Sequence, residues 1–398
     1  MSLPRILLAW DGGGNWGHAA KLGLLVRALE GRADVAVAAK DVAAIRRFAP
    51  RARLALLPAP SFRSGARRPA EMSFGANLSG FGWREPGALA ALVESWRTLI
   101  GLTGAKLVVA HAAPNAMLAA RVAGVPTLWV GQGFDLPPDM SPLPPFDHWR
   151  NEHTEAAARG EALSLRGAGD VLAAHGLPRP GSVREALAPS AVALACLPEL
   201  DHYPSEVRTD PALGPLMETR VGEPVDWRTD RRRLFAYLRP DGPAGEAGVR
   251  AVATLAPEWE VIIAAPGLGS EDIAELTRRG VRHVGGPVRI DDLARGADLG
   301  LSHGSFGVVS ALALAGVPQV ALPNHAEQLM LCHALVRSGL GEASAAFDDP
   351  AGIAALLRRV DEDPRYREAA RALGSRHEGV TPETVAARIA EMALALAG

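Results

Sequence analysis

The feature that most constrains this chain is a strand that runs into a glycine turn and then a helix, a grammar that opens at residue 3 and restarts after residue 233. RILLAW leads into DGGGNWGH, a helical stretch follows to about Glu30, and DVAVAAK reads as the next strand. LVVA (107–110), a helix through Ala123 and TLWV (127–130) repeat the unit. Residues 201–233 lose this periodicity, carry four prolines and end in three arginines, as a linker would. Beyond them LFAYL (234–238), EVIIAA (260–265), VRHVG (281–285), DLGLSH (298–303) and PQVALP (318–323) alternate with helical segments. Strands joined by helices form a parallel sheet covered on both faces. The pattern therefore predicts an α/β protein with two Rossmann-like doubly wound domains, and 398 residues suit two domains of about 150–200 each.

Charge narrows the partners. Forty-two basic residues face 44 acidic ones, so no cationic excess is available for a nucleic-acid backbone or an anionic bilayer. Cys196 and Cys332 lie far apart without a CxxC context, which argues against a disulfide scaffold or structural zinc and fits a reducing cytoplasm. The apolar run Ile6–Trp10 meets Asp11 and three glycines rather than a cleavage site, so no signal peptide is expected. No run of about 18 apolar residues predicts a transmembrane helix, which leaves peripheral membrane contact open. Residues 58–85 and 137–149 read as functional loops or solvated insertions. Asp361-Glu362-Asp363 reads as a solvated loop, and no cluster of His, Asp or Glu has metal-ligand spacing at a strand end, so no metal is expected.

Two motifs carry chemistry. Gly12 to Gly17 fits GxGxxG between a strand and a helix, where Gly14 and Gly17 would let an anion approach the helix N-terminus. Asp41, ending the next strand, imitates the ribose-binding acid of a dinucleotide fold, so an oxidoreductase is one reading. His18 stands at the start of that helix, where α/β ligands bind, and suits a general base. In the second half, His303-Gly304-Ser305-Phe306-Gly307 is another glycine turn that enters a helix. Glu327 and Gln328 follow the next strand and suit sugar hydroxyls, while Arg239 follows LFAYL and could grip a diphosphate.

HGSFGVVSALALAGVPQVALPNHAEQ (303–328) resembles, without a gap, the signature HGGxGTxxEAxxxGVPxxxxPxxxDQ of GT-B glycosyltransferases of the UDP-glycosyltransferase type. GGGNWGHAAKLGLLVRAL resembles that family's N-terminal turn and first helix. The resemblance implies GT-B architecture with a cleft between two domains: an acceptor-binding domain over 1–215, a nucleotide-sugar domain over 223–378, and a C-terminal helix over 379–398 that returns toward the first. It implies no cofactor beyond an NDP-sugar donor (UDP or dTDP), a small-molecule or lipid-like acceptor, and inversion with His18 as base. Gly14, Gly17, Arg239, Val288, Ile290, His303–Gly307, Glu327 and Gln328 would bind the donor. Ser305, Val308 and Ala311 depart from the signature. The acid that orients the histidine in many members is replaced by Ala110 and His111, which leaves that role to Asp11 or His111, or implies an inactive partner of the same fold.

Overall fold

The computed structural model describes residues 3–14, 16–50, 52–62, 72–150, 152–344 and 349–398. It divides into two compact units: Met1–Pro198, Tyr203–Met217 and Thr381–Gly398 form the first, Glu199–His202 and Glu218–Val380 the second. The first contains strands β1 (Arg5–Trp10), β2 (Asp34–Ala39), β3 (Ala55–Pro58), β4 (Leu107–Ala110), β5 (Thr127–Gly131) and β6 (Ala191–Leu194) in one parallel sheet of order β3-β2-β1-β4-β5-β6. The second contains β7 (Arg232–Tyr237), β8 (Trp259–Ala264), β9 (Arg282–Val284), β10 (Leu299–Ser302), β11 (Gln319–Ala321) and β12 (Gly341–Ala343), in the order β12-β11-β10-β7-β8-β9 and again parallel. Each sheet runs outward from its first strand and then reverses. The reversal falls between β1 and β4 in one unit and between β7 and β10 in the other. In such sheets ligands bind outside the strand carboxyl ends at that point.

The central strands are apolar along their length because helices cover both faces: Ile6 to Trp10 and Leu107 to Ala110 are all buried. Each fully buried leucine or valine there contributes about 1.5–3 kcal/mol. Helix α1 (Trp16–Leu29) buries Leu22, Leu25 and Leu29, one face of a 3.6-residue repeat. It packs against α2 (Val42–Phe48) and the terminal helix Pro382–Ala397. Thr381 caps that helix by accepting from Thr384 N at 3.2 Å. No helix among the described residues is long and apolar enough to cross a membrane.

Two expectations need correction. The described part of 58–85 and residues 137–149 are packed structure, not solvated insertion: Trp83 is fully buried with its indole N–H on Asn115 Oδ1, and Leu143 and Phe146 are buried too. Residues 63–71 lie outside the described part. Their proline and glycine content hid a short helix, Phe74–Asn77, that packs on the helix Thr154–Ala174. Asp361 is also no solvated loop residue. It ends the helix Pro350–Glu362 in ion pairs with Arg232 and Arg367, while Asp363 caps the following helix.

Candidate functional site

In the first unit, the turn after β1 meets the loop after β4 at the sheet's reversal. Gly12 N donates to Ala112 O at 2.9 Å, and Lys40 Nζ closes the turn from outside by donating to Gly13 O at 2.8 Å. Gly13 takes φ +76°, and a Cβ there would lie 2.2 Å from His18 Nε2, so only glycine fits under the ring. His18, in the first turn of α1, stacks on Trp10 with centroids 5.5 Å apart and places Nδ1 2.9 Å from His111 Nε2. His111 follows β4 and places its own Nδ1 3.1 Å from Val130 O.

This chain of contacts fixes the protons. A carbonyl can only accept, so His111 Nδ1 carries hydrogen; its Nε2 is then the acceptor, and His18 Nδ1 must donate. Burial and the Lys21 ammonium keep both rings neutral, with His18 lowered to about 3 and His111 well below its ordinary range. Neutral His18 therefore presents an unprotonated Nε2, which accepts no hydrogen bond from the described residues. Asp11 takes no part in this chain. Burial raises its carboxyl well above the usual range, and the neighbouring Trp96 indole N–H donates to Pro60 O.

Lys21 and Asp135 also belong here, and no motif pointed to them. Lys21 Nζ donates to Gln132 Oε1 at 3.0 Å in the same buried region. Donor atoms of His18, His111 and Asp135 lie within 4.8 Å of one another, a grouping that no ligand spacing in the sequence reveals. The first turn of α1 and the loops after β4 and β5 bring it together, out of reach of any local spacing rule. The shared proton and the Lys21 ammonium both oppose a cation at that point.

Asp41 is committed elsewhere: its carboxylate accepts from Ala44 N at 2.9 Å and caps α2. Gly14 and Gly17 are exposed beside the turn, and Asn15 lies outside the described residues.

In the second unit, three connections leave the carboxyl ends of the adjacent strands β7, β10 and β11. The first carries Arg239 and leads into the helix Pro243–Leu255; the second carries His303, Gly304 and Ser305 into Phe306–Leu314; the third leads into Ala326–Arg337. His303 donates from Nδ1 to Tyr237 O at 3.2 Å. Burial lowers it to about 4, against the Tyr237 bond, and Arg239 and His325 add to the lowering. Gly304 has φ +75°, and a Cβ would lie 2.8 Å from Cys332 Sγ. Ser305 and Gly242 stand at the N-caps of these helices and make no side-chain cap bond. An open hollow of about 570 Å³ is bounded by Arg239, Asp241, Arg250, Gly267 and Asp272.

The remaining expected donor residues divide. Gly307 is partly exposed beside Ser305, and Glu327 is partly buried in the first turn of its helix. The Val288 side chain is in the core against Phe235, Ile262 and Val308, with Ile290 packed on that cluster, and Phe306 is buried. Gln328 is buried and accepts from Asn324 N at 2.8 Å, so it braces the turn. His325, close enough to Arg239 for its charge to be felt, was missed because the signature leaves that position open.

Two six-stranded parallel sheets, each reversing beside its first strand, make up a two-domain GT-B fold. Residues 251–392 match the family model of the erythromycin biosynthesis protein CIII-like C-terminal domain. The fold is shared with the glycosyltransferase of kitacinnamycin, 17% identical, at a TM-score of 0.70 over 98% of both chains. It is shared with VinC, solved in complex with dTDP, 20% identical, at 0.66 over 98% of this chain and 100% of that one. SnogD from Streptomyces nogalater, 20% identical, aligns at 0.64 over 99% and 100%. No curated protein sequence matches the chain.

Proposed function

We propose that this chain moves a sugar from a UDP- or dTDP-linked donor to a hydroxyl of a small-molecule or lipid-like acceptor, in the cytoplasm and without a metal. The observation that carries the reading is His18 Nε2, left with a free lone pair at the reversal of the first sheet by the His111 and Val130 bonds. His18 takes the acceptor proton as the acceptor oxygen attacks the anomeric carbon with inversion and the bond to the diphosphate breaks. Arg239, His303 and the amides that open the helix Phe306–Leu314 meet the charge that develops on the leaving phosphate. The dTDP held by VinC supports the donor class.

An oxidoreductase reading loses its acid, since Asp41 caps α2, and His18 occupies the space over Gly13 that a pyrophosphate would need. An inactive partner would bind nucleotide without turnover. A thermal-shift panel of UDP, dTDP, their sugars and NAD(P), followed by donor turnover in EDTA, tests the reading. A uridine or thymidine diphosphate should raise Tm, and turnover should survive chelation. Stabilisation by NAD(P) alone, or turnover that needs added magnesium, would contradict it.

A further inference from the structure

A general base works best when an anion receives the charge that it acquires. Here the group bonded to His18 Nδ1 is another imidazole, and the only hydrogen on His111 that could turn away from His18 is already given to Val130 O. The charged neighbours do not make up the difference. Lys21 and Lys40 both act on His18 as cations, Asp135 is one carboxylate within 4.8 Å, and burial pushes the Asp11 carboxyl toward its neutral form. A protonated His18 would thus sit among two cations and one anion, without a hydrogen-bonded carboxylate.

Building on the transferase reading, we propose that pairing His18 with a second imidazole beside Lys21, in place of a carboxylate, restricts the acceptor to an acidic hydroxyl, a phenol or enol. A phenol ionises at about 10, whereas an alkanol is close to water at about 15.7. For a phenol, the proton passes to His18 Nε2. The phenolate oxygen then forms the new bond to the anomeric carbon, and the diphosphate leaves with the electron pair of the bond that breaks. An alkanol would have to give its proton to His18 during attack, and the imidazolium would form beside two lysines without a carboxylate hydrogen-bonded to it. His111 is a positioning residue in this account: it selects the tautomer of His18 and touches no substrate.

The test has two parts. Nitrogen-15 histidine spectra of the full chain should show His18 as the neutral Nδ1–H tautomer from pH 8 to 5. In His111→Asp, and independently in Lys21→Gln, its titration should move upward, by about two pH units or more for the carboxylate. Transfer is then compared between 4-methylphenol and benzyl alcohol, using whichever nucleotide sugar stabilises the chain. The phenol should react at least about 100-fold faster, and that ratio should shrink at least about tenfold in either variant. A His18 that titrates near its ordinary value in the unaltered chain, or equal rates for the two hydroxyls, overturns the proposal. Nucleotide binding without transfer to either probe refutes the transferase reading itself, whereas transfer without preference refutes only the acceptor class.

Discussion

Gly13 shows how one residue can be held by the chemistry beside it. Its φ of +76° already excludes most side chains, and the His18 ring fills the place where a Cβ would go. Gly13→Ala should cost about 1–2 kcal/mol of stability from the left-handed backbone alone. It should lower transfer far more, by about 10²-fold, because a displacement of about 1 Å at the reacting geometry has that effect. Donor affinity and kcat measured on this variant would separate the two effects; unchanged kcat would mean that Nε2 does not act. The importance of His18 was legible, since a histidine just after GxGxxG already pointed to the crevice. Its partner was legible only as one option among two. Nothing local says that the ring 93 residues away is the one in hydrogen-bond reach, nor that Asp135 arrives from the loop after β5, although Lys21 stands one turn beyond His18 on the same helix.

Among elements, α2 decides between two uses of one acid. Asp41→Ala removes an N-cap, which should cost about 0.5–2 kcal/mol and leave nucleotide affinity unchanged. Calorimetry and a dTDP titration check both; loss of nucleotide binding would revive the dinucleotide reading. The regular βα units were readable because buried parallel strands are apolar throughout and glycine turns mark where each strand gives way to a helix. The packing of 72–85 and 137–149 was not, because their burial comes from other elements. Phe146 N bonds Met72 O at 2.6 Å, and Trp83 reaches Asn115. The Arg232–Asp361 pair, 129 residues apart, escaped for the same reason.

At the scale of the whole molecule, buried histidines set an acid limit. His18, His111 and His303 are held below their ordinary value, so between about pH 6.5 and their folded values the unfolded chain binds more protons than the folded one. Their contribution is therefore complete above about pH 6.5 and declines as pH falls, by at most about 1.4 kcal/mol per pH unit for each. Asp11, raised by burial, acts in the opposite direction. Tm should fall steadily from pH 7 to 5, and His303→Asn should flatten the decline; a flat profile in the unaltered chain would contradict these assignments.

The central claim is that His18 is the general base, and His18→Ala tests it most directly. The account predicts transfer reduced by about 10²–10⁴-fold, with donor Kd almost unchanged because Arg239 and His303, proposed to hold the diphosphate, belong to the second unit. Full transfer activity in His18→Ala would contradict it and leave only the fold standing.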